Sequence, residues 1–263
     1  MPAVFQDIHK ALEAKDPAEK CRSVSSIAGR KEQSFADRHK PLCPIGEPGR
    51  PDRPLLVEPA SLPRRRLGSQ AGRAALIHAV AHIEFNAINL ALDAAYRFRD
   101  MPESFTLDWI SVAADEARHF QLLDARLREL GHRYGDFPAH DGLWEMARRT
   151  SDSCLARMAL VPRVLEARGL DVTPAMIKKL QNAGDHSTVR ALEVILAEEV
   201  RHVAIGTHWF RYCCSMEALD PQTAFIGLLR RHFGWPKGPF NTDARLQAGF
   251  TPDEMALLEG GAL

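Results

Sequence analysis

The sequence predicts an all-α protein built on four long helices, with a proline-rich N-terminal arm and extra C-terminal helices. Three observations carry this. Aromatic residues make up 7% of the 263, with only three Tyr, which is thin for an all-β chain. From Ser69 onward, long stretches repeat apolar residues at steps of three and four, bounded by capping residues, Gly or Pro. No convincing run of alternating apolar and polar residues marks a strand.

The elements follow in order. Residues 1–40 predict one or two short helices, one of them starting at Asp16 with Pro17 in the first helical position. Nine of the 17 prolines lie in the first 63 residues, seven of them between Pro41 and Pro63, which reads as an extended arm. The first long helix covers Ser69–Phe98. The second runs from near Thr106 to Leu130, with Gly131 as its stop. The third is expected to start after Asp141-Gly142 and to reach Ala167, stopped by Gly169. A short helix follows Thr173-Pro174, interrupted at Gly184-Asp185. The fourth long helix spans about Ser187–Met216, and a fifth runs from Asp220-Pro221 to near Phe233. Gly234–Asn241 reads as a loop, and Thr251-Pro-Asp-Glu254 as a capping-box start of a last short helix. The expected division is an arm over residues 1–65 and a helical bundle with its C-terminal extension over residues 66–263.

Composition narrows the function classes. Lys+Arg and Asp+Glu are 34 each, so no global field steers the chain onto nucleic acid or an anionic membrane. Arg64-Arg65-Arg66 and Arg148-Arg149 are short basic clusters, and they read as solvated faces rather than an RNA surface. Five Cys with no CxxC spacing do not make a disulfide framework and fit a reducing cytoplasm. Adjacent Cys213 and Cys214 read as small buried helix residues. The first residues lack the apolar core of a secretory signal, and no apolar run reaches the roughly 18 residues of a membrane span.

Polar residues stand where the core should be. Glu84 interrupts the apolar stripe Ile77, Val80, Ile88, Ala91; Glu116 and His119 interrupt Trp109, Val112, Leu123, Leu127; Glu199 and His202 interrupt Val194 or Ile195, Ile205, Trp209. A charge in a core stripe is costly unless paired or metal-bound. Residues three apart share a helix face, so each Glu-x-x-His pair can grip one ion. A third such spacing, Glu129-Leu-Gly-His132, straddles a helix end and reads as coincidence.

The arrangement is the stronger signal. Glu84 precedes Glu116 by 32 residues, and Glu166 precedes Glu199 by 33, about the length that returns a helical hairpin to one level. Asp115-Glu-Ala-Arg-His119 and Glu198-Glu-Val-Arg-His202 echo each other locally. Four carboxylates and two imidazoles so placed are the ligand set of carboxylate-bridged di-iron and di-manganese bundles. The expected metal ligands are Glu84, Glu116, His119, Glu166, Glu199 and His202. Glu166 is the weakest, with Pro162 one turn before it and Gly169 three residues after; its competitor Glu145 stands 54 residues before Glu199 and spoils the spacing. Asp115 and Glu198, one turn before each histidine, are placed to bond the far imidazole nitrogen. His82 faces nearly opposite to Glu84 and reads as a hydrogen-bonded structural histidine. Phe85, Phe120 and Met158 are candidates for an apolar lining beside an open coordination position, although each also reads as ordinary core.

Six stretches carry a family resemblance: Ala81-His-Ile-Glu84, Val112–Phe120, Tyr134–Trp144, Val161–Pro174, His202–Gly206 and Gly238–Asn241. Through them the sequence resembles the ferritin-like superfamily and, within it, an uncharacterised bacterial family, DUF455, over about residues 60–250. The resemblance implies a ferritin-like fold and a dinuclear centre, Fe/Fe first, Mn/Fe or Mn/Mn otherwise. The superfamily's small-subunit ribonucleotide reductases keep a radical Tyr where this chain has Leu123, which argues against that role. The long arm argues against a ferritin cage. What remains is an oxidoreductase that activates O2 or peroxide on a small or tethered substrate, served by an electron donor. The alternatives are a metal-binding or redox-protective protein without organic substrate, a vestigial bundle, and a tRNA-modifying hydroxylase-like enzyme. A cytoplasmic protein, free of membrane, with a homodimer as one possible state, completes the expectation.

Overall fold

The computed structural model describes residues 3–41, 43–62 and 67–261. Among the described residues there is no strand; two isolated bridges pair Ala3 with Ser34 and Leu56 with Ala139. The chain divides into two compact units, Met1–Trp144 and Glu145–Leu263.

The first unit holds α1 (Val4–Glu13), α2 (Pro17–Ala28), α3 (Gln70–Arg97) and α4 (Glu103–Glu129). Asp16 caps α2 by accepting from the Glu19 amide, with Pro17 at the first helical position. Ser69 caps α3 through the Gly72 amide at 3.1 Å. α3 is buried on nearly every side, so it shows no single apolar face. By length and apolarity it would pass for a membrane span, yet 83% of that apolar window is buried inside the protein, as in a core helix. α4 starts three residues before the expected Thr106, because Pro102 ends the preceding turn and Phe105 is already core. It stops where expected: Gly131 has φ +76° and the His132 amide reaches back to the Leu127 carbonyl at 2.9 Å.

The proline-rich arm is extended but not loose. Its only helical turn among the described residues is Pro59–Ser61. Gly49 donates to the Leu12 carbonyl at 2.8 Å, and a Cβ there would lie 2.1 Å from the Glu13 oxygen, so only glycine fits. The Val57 amide bonds the Ala139 carbonyl at 2.8 Å, and Trp144 Nε1 donates to the Gly46 carbonyl at 3.3 Å. Arg64-Arg65-Arg66 lie outside the described residues.

Lys20 is fully buried on α2, and its Nζ donates to the Ala11 and Leu12 carbonyls at 2.9 and 2.8 Å. Burial lowers its pKa from 10.5 to about 7. Between those values the unfolded chain holds the proton and the folded chain does not, so this group makes stability rise with pH. In urea unfolding, the stability of the native sequence relative to Lys20→Met is expected to rise by about 2 kcal/mol from pH 7 to pH 9. A pH-independent difference would mean that Lys20 keeps its ordinary pKa.

α5 (Gly142–Arg149) leads into the second unit, which holds α6 (Cys154–Leu160), a π-helical turn Val161–Glu166, α7 (Ala167–Asn182), α8 (His186–Met216), α9 (Pro221–His232), α10 (Thr242–Gln247) and α11 (Pro252–Gly260). The expected third helix is therefore broken and extended. It breaks at Thr150–Ser153, where the Thr150 hydroxyl bonds back to the Met146 carbonyl and Ser153 caps α6 through the Ala156 amide. It does not stop at Gly169, whose Cβ position is open space, and Pro174 lies inside α7 instead of starting a helix. Pro162 is absorbed by widening one turn to π geometry. α8 packs directly on that turn at Gly206, where a Cβ would fall 2.2 Å from the Pro162 ring. α10 was not expected from sequence; the buried Asp171 on α7 holds it through Arg245 at 2.7 Å and the Asn241 amide at 2.9 Å. The capping box of α11 is present as expected.

Candidate metal centre

The first unit converges three side chains that could hold a metal ion. Glu84 stands midway along α3, and Glu116 and His119 stand one turn apart on α4, the helix that returns against it. Their relative exposures are 4%, 1% and 0%. His119 Nδ1 lies 3.2 Å from Glu84 Oε2 and 3.5 Å from Glu116 Oε2. One ligand atom from each lies within 4.8 Å of the others, so the three could hold a metal ion. Burial alone would lower the His119 pKa, but its hydrogen bonds to Glu116 and Glu84, and their charges, outweigh burial and raise it to about 11. A cation, here a proton on imidazole, is what two dry carboxylates favour.

The second unit carries the matching pair. Glu199 and His202 lie one turn apart on α8, with Nδ1–Oε1 at 3.4 Å. Glu199 is 8% exposed and His202 is fully buried. Glu166 closes the π-helical turn that packs on α8. Glu145, its competitor, lies on the surface of α5 paired with Arg148. Met158 is buried core on α6.

Asp115 accepts from Arg118 Nη2 at 2.8 Å, and Glu198 is half-buried on α8. Phe85 and Phe120, each next to a candidate ligand in sequence, are buried with ring centroids 5.4 Å apart. Arg149 Nη2 donates to the His232 carbonyl, closing the C-terminal end of α9.

His82 is structural, as its side of the helix suggested. Its Nε2 lies 3.1 Å from the His140 carbonyl and 2.9 Å from Asn86 Nδ2. Its Nδ1 is hydrogen-bonded to the Tyr134 hydroxyl at 2.8 Å. Burial lowers the His82 pKa to about 4, which keeps the ring neutral, and pushes the Tyr134 phenol up. The Tyr134 ring stacks 5.3 Å from His78 and lies 5.5 and 5.0 Å from Phe85 and Phe120. Sequence reasoning did not find this aromatic wall, because Tyr134 lies in a loop 52 residues from His82. The family stretch beginning at Tyr134 was its only trace.

The family model described as "Protein of unknown function (DUF455)" matches residues 13–256. A Haemophilus influenzae relative described as an uncharacterized protein is 43% identical over 268 residues, covering 95% of this chain and 92% of that one. No solved structure matches the chain.

Proposed function

The chain belongs to the DUF455 family, and we propose that it is a carboxylate-bridged dinuclear metal protein, an oxidoreductase that activates O2 or peroxide. One observation carries the reading. Glu84, Glu116 and His119 converge in the buried interior of the first unit, and the second unit repeats the Glu-x-x-His pair at Glu199 and His202. We read α3 with α4, and the α6–α7 segment with α8, as the two hairpins of a ferritin-like four-helix bundle. In that bundle Glu84, Glu116 and His119 would hold one metal, and Glu166, Glu199 and His202 the other. Asp115 and Glu198 would orient the histidines. On this reading residues 1–65 are the arm and 66–263 the bundle.

The donor set fits such a group. Oxygen-rich ligands with one imidazole per metal suit iron or manganese better than structural zinc, which prefers sulfur and nitrogen. Fe/Fe is the first expectation, with Mn/Fe and Mn/Mn next. When bound, the pair would supply two-metal redox chemistry toward O2 or peroxide. The chain's own part is visible in the first unit. The helices fix three ligands at one level without loops, which keeps their geometry rigid. Buried Phe85 and Phe120 beside them exclude water, and the Tyr134–His82 bond locks the neighbouring wall. A small-molecule substrate and an electron donor are the partners this chemistry requires.

The test is metal content and spectroscopy on the full chain from cells supplied with iron and manganese. About two equivalents per chain are expected from the two ligand sets, with an EPR or optical spectrum that changes on exposure to O2 or peroxide. Protein that folds but binds no iron or manganese sinks the proposal. Metal that peroxide oxidises rapidly, the peroxide being reduced to water with no organic compound consumed, moves it to the redox-protective alternative.

A further inference from the structure

Between α2, α4 and the arm of the first unit lies a cavity of about 610 Å³. That is the size of a small-ligand site. Its floor is apolar: Cys21 and Phe120 are buried, and the Tyr134 ring crosses Phe120 edge-on. The Tyr134 hydroxyl is committed to His82, so the floor presents the ring and not the phenol.

The rim is charged, and its charges do not cancel. Asp16 is spent on capping α2, and Asp124 is paired with Arg128 at 2.8 Å. The guanidiniums of Arg53 and Arg133 have no carboxylate partner among the described residues, the Asp136 carboxylate being bonded to the Arg133 backbone amide. They issue from adjoining segments, since the Arg53 Cβ lies only 3.1 Å from where a Cβ on Gly135 would be. Two unpaired guanidiniums above an apolar floor match one ligand chemistry: a carboxylate on an apolar body.

We propose that this cavity binds a small organic carboxylic acid, its body on Cys21, Phe120 and Tyr134 and its carboxylate between Arg53 and Arg133. Phe120 follows His119 directly on α4, so the ligand's apolar end rests one residue from the candidate metal ligands. That the acid is the substrate rests on the dinuclear reading; that it binds does not.

The experiment is calorimetric titration of the metal-free full chain with 3-phenylpropanoate and with its neutral amide. One site per chain is expected, with Kd at or below about 1 mM for the acid and at least about tenfold weaker binding of the amide. The double variant Arg53→Ala/Arg133→Ala is expected to lose about tenfold for the acid and little for the amide. Ala125→Trp, at an exposed α4 position lining the cavity, is expected to fill it and abolish both, with unchanged circular dichroism. Equal binding of acid and amide, acid binding indifferent to the arginines, or no binding by the native chain overturns the proposal. Acid binding in a chain that takes up no metal would leave this site standing and remove only the dinuclear reading.

Discussion

Glu254→Ala is expected to cost about 3–5 kcal/mol of stability, read by urea unfolding, because it strips the counter-charge from a buried cation. Arg163 sits in the π-helical turn at 1% exposure, with its guanidinium 4.6, 4.2 and 4.5 Å from the rings of Phe210, Phe225 and Phe250. Its Nη2 donates to Glu254 Oε1, while Glu254 Oε2 accepts from the Thr251 amide at 2.9 Å. One carboxylate therefore neutralises Arg163 and completes the capping box of α11. Burial lowers the Arg163 pKa and Glu254 opposes that, so without Glu254 the burial of the charge goes uncompensated. The aromatic box softens the loss but does not replace it; cation–π contacts contribute about 0.5–2 kcal/mol. The double variant Arg163→Met/Glu254→Met should recover most of the stability, since apolar replacement of both partners removes the buried charge itself. A loss below about 1 kcal/mol in Glu254→Ala would show that the pair is solvated and the cage irrelevant.

The same turn explains where sequence reasoning stopped. The starts of α2 and α3 were legible because Asp16 stands before Pro17 and Ser69 before a long apolar repeat, whereas Asp185, read as an interruption, is the cap of α8. Pro162, Gly169 and Pro174 are local breakers, and read alone they end a helix. Packing overrules them: α8 accepts the Pro162 ring at Gly206, and Leu170, Asp171 and Thr173 bury the face of α7 that surrounds the other two. The break at Thr150 depends on Arg157, fully buried, donating to the Thr150 hydroxyl at 2.8 Å and the Ala147 carbonyl at 2.7 Å, a contact no local pattern encodes. The ligand candidates on α3, α4 and α8 were legible for the opposite reason. A carboxylate inside an apolar stripe is visible in one dimension, whereas the Tyr134–His82 pair and the Arg53–Arg133 rim join residues far apart in sequence.

Glu116→Ala is expected to lower the affinity of the chain for iron by at least about 100-fold, more than loss of an outer hydrogen-bond partner brings about. Glu116 has 1% exposure and stands 3.5 Å from His119, so its removal takes one of three convergent candidate ligands. Glu199→Ala is expected to do the same from the second unit, because the proposed centre needs both hairpins. Glu145→Ala, on the surface of α5, is the control and should bind as the native chain does. Glu166→Ala decides whether the π-helical turn supplies a ligand: about one metal equivalent lost supports the six-residue set, and full occupancy removes Glu166 from it. Stability gives a readout that needs no turnover. A ligand present at 100 times its dissociation constant stabilises the folded chain by about 2.7 kcal/mol, so chelation should lower the native midpoint and leave Glu116→Ala unmoved. If Glu116→Ala and Glu199→Ala both retained metal and the chelator response, the buried carboxylates of the two units would be polar core held by their own helices, and the reading of the chain as a metal protein would fail with them.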